Sequence, residues 1–113
     1  MRKYTIIKKE FSFLESEYGF KKYMKQKSGS YYYIGWTNEI KNINVFYDET
    51  IDKKTNSPIW IKIYSTYCYG PYHDDTIEFR NEFFIPSASP KERIHCAAEW
   101  LKNAIENKTV KVE

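Results

Sequence analysis

A chain of 113 residues with 42% hydrophobic and 29% charged residues has the balance of an ordinary globular protein, which excludes the disordered class. At this length a single core is expected, burying roughly two thirds of the surface the unfolded chain exposes, and no apolar run reaches signal-peptide or membrane-spanning length. The net charge is only +3, but residues 1–27 carry eight Lys/Arg against three Glu, leaving −2 for the remainder; a basic end of this kind attracts phosphates or an acidic protein surface, or is a plain solvated face.

The elements follow from periodicity. Ile7, Phe11, Leu14 and Tyr18 share one helical face, and Gly19 suits a C-terminal cap, so a first helix is expected over about 7–18. Phe20 to Lys27 reads as a strand with Lys21, Tyr23 and Lys25 on one side and Phe20 and Met24 on the other. Ser28-Gly29-Ser30 is a hairpin turn signal. Tyr31–Thr37 and Ile40–Asp48 make two further strands separated by Asn38-Glu39, and the polar stretch Glu49–Pro58 reads as a loop. Ile59, Ile61 and Ile63 alternate with Trp60, Lys62 and Tyr64 in the clearest strand of the chain. After a connection marked by Gly70-Pro71, Thr76–Ile85 alternates as a fifth strand with Ile77, Phe79 and Phe83 inward.

Ser89-Pro90-Lys91-Glu92 combines an N-cap serine, proline at the first helical position and a glutamate three after the cap, which starts a helix over about 90–106. Its apolar stripe is Ile94, Ala97, Ala98, Leu101, Ala104 and Ile105, and Asn107–Glu113 is expected to fray. The whole reads as one α+β domain over 1–113: a five-stranded antiparallel sheet with an N-terminal and a C-terminal helix packed on one face.

Catalytic signatures are scarce. His73 followed by Asp74 and Asp75 is the one grouping that suggests a metal site or a general base, and it also reads as a solvated turn. Cys96 beside His95 cannot form a nucleophile and base, because consecutive helical residues point about 100° apart; Cys96 and Cys68 read as buried or idle thiols. Ser87 and Ser89 lack a nucleophile elbow, and no glycine-rich phosphate loop is present. The expectation is a non-catalytic protein with neither cofactor nor metal.

What requires explanation is the sheet face away from the helices. Alternation places Tyr23, Tyr31, Tyr33, Phe46, Trp60, Tyr64 and Phe84 there, among Lys21, Lys25, Lys62 and Arg80. Such a face suits a protein partner or a second copy, centred on Trp60, Tyr64, Phe46, Tyr33 and Lys62. Two alternatives remain open: the loops at 49–58 and 67–75 fold over it, or it is a stacking platform for single-stranded nucleic acid. Against the platform, no RNP-like run is present and Glu78 and Glu82 lie on the same face.

The stretch Phe11-Ser-Phe-Leu-Glu-Ser-Glu-Tyr-Gly-Phe20, followed by tyrosine-rich strands with Asn44-Val-Phe-Tyr-Asp48, resembles small cytoplasmic proteins of low-GC Gram-positive bacteria, among them immunity proteins of toxin systems. The abundance of Lys over Arg, with frequent Ile, Asn and Tyr, fits an AT-rich bacterial genome. The resemblance implies binding and blocking a toxin in the cytoplasm without turnover. It transfers no functional residues, and the positive charge argues against a nuclease as the target.

Overall fold

The computed structural model describes residues 3–29, 31–48, 59–65, 75–79 and 88–112. Helices α1 (Lys3–Glu10) and α2 (Phe13–Ser16) precede strands β1 (Lys21–Ser28), β2 (Tyr31–Thr37), β3 (Lys41–Asp48), β4 (Ile59–Ser65) and β5 (Asp75–Phe79), and helix α3 (Pro90–Glu106) follows. The strands pair antiparallel in sequence order, so the expected five-stranded α+β architecture is present. α1 packs on β2 and on α3, α2 on the start of β1, and α3 on β4. The expected loops at 49–58 and 67–75, and with them Cys68, His73, Asp74, Arg80, Glu82, Phe83, Phe84 and Ser87, lie outside the described residues.

The N-terminal helix differs from its expected course. It starts at Lys3, and Phe11-Ser12 interrupts it. The Ser12 hydroxyl donates to the Lys9 carbonyl at 2.8 Å, while Ser12 N and Leu14 N bond three residues back to Lys9 and Phe11. A hydroxyl competing for a helical carbonyl tightens the local turn. The tighter turn brings Phe13 into the core beside Phe11 and Leu14, a residue outside the simple helical stripe. Gly19, at φ 71°, then lets Phe20 N return to the Leu14 carbonyl and closes the segment as the sequence suggested.

The core lies between helices and sheet. β4 supplies Ile59, Ile61 and Ile63, β3 supplies Ile43, Val45 and Tyr47, β2 supplies Ile34 and Trp36, and α3 supplies its whole expected stripe. Trp36, fully buried, donates its indole N–H to Glu15 Oε2 at 3.2 Å. At α3 the capping box is complete: Glu92 N donates to Ser89 Oγ at 3.2 Å and Ser89 N to Glu92 Oε1 at 3.0 Å. These bonds hold the Glu92 carboxyl below its ordinary pKa.

Strict alternation fails on β1. Lys22 pairs with Trp36 but Met24 with Gly35, so Tyr23 is an extra residue in a β-bulge. Beyond it every side chain has changed face relative to the expected pattern. Lys25 pairs with Ile34 and Lys27 with Tyr32, which places both on the helix side; Lys25 Nζ sits 4.8 Å from the Tyr4 ring centre and Lys27 Nζ 5.1 Å from that of Tyr32. Lys25 therefore does not belong with Lys21 and Tyr23.

The tail does not fray. A left-handed turn at Lys108 (φ 65°) lets Val110 N donate to the Ala104 carbonyl, and Val112 is buried with its carbonyl accepting from Asn38 Nδ2 at 2.7 Å. Asn38 thereby ties the tail to the β2–β3 turn, where its Oδ1 also accepts from Ile40 N and Lys41 N.

Candidate functional site

Register carries the outer face. Gln26, Tyr33, Phe46, Trp60 and Glu78 form one row across all five strands, because the inward set Ile59, Ile61 and Ile63 fixes β4 and the pairings propagate from it. Along this row the rings stack: Tyr33 on Phe46 at 4.8 Å between centres, and Phe46 on Trp60 at 5.1 Å with planes 5° apart. Tyr31 stands across the end of the ladder, 5.7 Å from Trp60 and 6.1 Å from Phe46. The Tyr33 hydroxyl donates to Gln26 Oε1 at 2.7 Å, and Lys62 Nζ lies 5.9 Å from the Phe46 ring centre. All five expected site residues thus share this face, each half-buried. Four belong to the ladder and its cation; Tyr64 belongs to a polar group beside it.

That polar group depends on the bulge. Tyr23 is pushed out of the β1 ladder, and its ring lies over Gly35: a Cβ there would stand 2.7 Å from Tyr23 Cε1 and 2.6 Å from Asn44 Oδ1. The ring spans β2 because Gly35 has no side chain. The Tyr23 hydroxyl donates to Asn44 Oδ1 at 2.9 Å, Asn44 Nδ2 donates to the Tyr64 oxygen at 2.8 Å, and the Tyr64 hydroxyl, 3.1 Å from that of Tyr23, completes the ring of bonds. Each group donates once and accepts once, an arrangement in which the bonds polarise one another. It also satisfies Asn44, the buried polar residue of the core's outer side.

Tyr23 keeps 42% of its surface exposed, but its hydroxyl end is sheltered between Asn44 and Tyr64. Burial, reinforced by the hydrogen bond to Tyr64, raises its pKa from 10.0 to about 12. No local pattern signals this group directly, since its members are 21 and 20 residues apart. The available signals were a glycine and an asparagine within otherwise aromatic and β-branched strands, both marks of a close approach.

Elsewhere the chemistry is sparse. His95 Nδ1 meets Glu10 Oε1 at 2.7 Å, joining α3 to α1, and does not engage Cys96. Cys96 is a free, exposed thiol. Among the described residues no three His, Cys, Asp or Glu side chains converge as metal ligands. No helix among them is long and apolar enough to cross a membrane. Comparisons with known protein families, with curated proteins and with solved structures find no match.

Proposed function

We propose that the chain is a non-catalytic binding domain whose outer sheet face docks a protein partner. The observation that carries this reading is the ladder of Tyr33, Phe46 and Trp60, flanked by Tyr31 and Lys62 and held by the register of three strands. Rings that are stacked and hydrogen-bonded before binding lose little rotamer freedom on contact, and Trp and Tyr are the residue types that anchor interfaces. A toxin blocked in the cytoplasm of a bacterium is the partner that fits the resemblance of the N-terminal segment and the tyrosine-rich strands.

The test uses Trp60→Ala and Lys62→Ala, with circular dichroism for the fold and pull-down from source cells for the partner. Trp60→Ala removes a ring stack worth about 0.5–1.5 kcal/mol of stability and leaves the inward isoleucines untouched. The fold should persist while the partner is lost, since a central aromatic anchor carries about 2 kcal/mol or more of binding. If Trp60→Ala folds and keeps every partner, the interface lies elsewhere; if it unfolds, Trp60 belongs to the core. Binding of single-stranded RNA that Trp60→Ala abolishes would replace the protein reading with the stacking-platform one.

A further inference from the structure

β1 is an end strand of the sheet, and among the described residues nothing pairs with its far side. It has no proline, so its outward N–H groups remain donors, and four of its eight residues are lysines: Lys21, Lys22, Lys25 and Lys27, all exposed. Lys22, before the bulge, and Lys25 and Lys27, which the bulge turns over, lie opposite Trp36, Ile34 and Tyr32 on the helix side. α1 lies over β2 and α2 packs on the start of β1, so the rest of β1 stands beside the helix layer with its lysines exposed. The result is an open trough of about 290 Å³ between α1 and β1, in which Lys8, Lys22 and Lys25 stand beside Tyr4, Thr5, Tyr23, Met24 and Ile34.

Among the described residues its charge is compensated only at Lys22. Glu10 is engaged by His95, Glu15 by Trp36 and Lys22, and Glu17 by Lys102. Among the described residues no carboxylate pairs with Lys8, Lys25 or Lys27. Lys25, in the trough, and Lys27, further along β1, rest instead against the rings of Tyr4 and Tyr32.

We infer that this edge takes an extended, acidic segment of a protein partner as an additional strand. An unpaired strand edge is a template for another polypeptide, which supplies the missing main-chain hydrogen bonds. Side chains at alternate positions of the incoming strand face the same side of the sheet, so carboxylates two residues apart would stand opposite Lys25 and Lys27. The same lysines repel a second copy of β1, which makes the edge selective by charge. A nucleic acid is the poorer fit: it has no ladder of N–H and C=O groups, and the stacked rings lie on the opposite face of the sheet, while Tyr4 and Tyr32 are capped by the chain's own lysines. The inference is independent of the outer-face reading and uses different residues.

The experiment titrates the full, isotopically labelled chain with a soluble peptide of alternating Glu and Thr, about ten residues long to match a strand, and follows backbone amides by NMR. Perturbation and slowed exchange should be confined to β1 and α1, and affinity should fall steeply with salt. Lys25→Glu with Lys27→Glu should weaken binding about ten-fold or more, with Lys25→Gln/Lys27→Gln as the milder pair should the reversal disturb the fold. Lys91→Glu, at the exposed start of α3, should leave it unchanged. No binding at low salt, perturbation of β3 and β4 with β1 silent, or displacement of the peptide by a single-stranded RNA of equal charge would each overturn the inference.

Discussion

Gly35→Ala isolates the contact on which the outer face is built. Gly35 has no positive φ, so the backbone itself does not require glycine. The Cβ would nevertheless lie 2.7 Å from Tyr23 Cε1 and 2.6 Å from Asn44 Oδ1, where carbon contacts settle at about 3.5–4.0 Å. Either the Tyr23 ring lifts and gives up its bonds to Asn44 and Tyr64, at about 1 kcal/mol each, or it stays and the overpacked contact costs about 1–3 kcal/mol. These are alternatives and do not add. Replacing glycine in a strand returns about 0.5–1 kcal/mol, so the net loss should be about 1–2 kcal/mol, a fall in Tm of roughly 4–10 °C for a domain of this size.

Urea unfolding of Gly35→Ala, Tyr23→Ala and the double variant measures this directly. In the Tyr23→Ala background the ring contact is already gone, so the glycine substitution should lose much of its effect, giving a coupling of about 1 kcal/mol. Strict additivity, or a Gly35→Ala protein as stable as the parent, would refute the placement of the ring over Gly35.

The pH response of the same group has a definite sign: the unfolded tyrosine ionises near 10 and the folded one near 12, so between these values the unfolded chain has released a proton the folded chain keeps. Stability should therefore fall across that alkaline window more steeply in the parent than in Tyr23→Phe, and be unaffected by this group below it. Ser89→Ala removes one half of the capping box and should cost about 1 kcal/mol in denaturant unfolding; the lowered Glu92 pKa means that the cap also weakens as acid protonates that carboxylate. Val112→Ala should cost about 1–2 kcal/mol, because the side chain is buried and the tail docks; a neutral result would return the tail to the frayed state its composition suggests.

The elements legible in the sequence are those whose local signals and tertiary role agree. α3 was readable to its first and last residues because capping box, proline and apolar stripe coincide, and β4 because three isoleucines leave one register open. From β4 alone the faces of Trp60, Lys62 and Tyr64 follow, and with them most of the ladder. The N-terminal helix was misread because Ser12 bonds a carbonyl that a regular helix would use, which no hydrophobic period reveals. The tail was misread because its anchor, Asn38, lies 74 residues away. The triad of Tyr23, Asn44 and Tyr64 was invisible for a related reason: it needs an extra residue in β1, and alternation counts every residue once.

That extra residue also separates two kinds of surface. With unbroken alternation Lys25 and Lys27 would have joined Lys21 and Tyr23 on the outer face; the bulge instead sends them to the helix side and keeps Tyr23 outward, bonded to Asn44 and Tyr64. The outer face is left with the stacked rings, Lys62 over Phe46, and Glu78 opposite Trp60, a mixed and weakly charged surface. The β1 edge becomes uniformly cationic. Burial of rings responds little to ionic strength, whereas exposed charges are screened within about 10 Å at 0.1 M salt. A contact made through the ladder should therefore survive salt that dissolves a contact made through the edge, so the ionic-strength dependence of any partner identifies which face it uses before a single residue is changed.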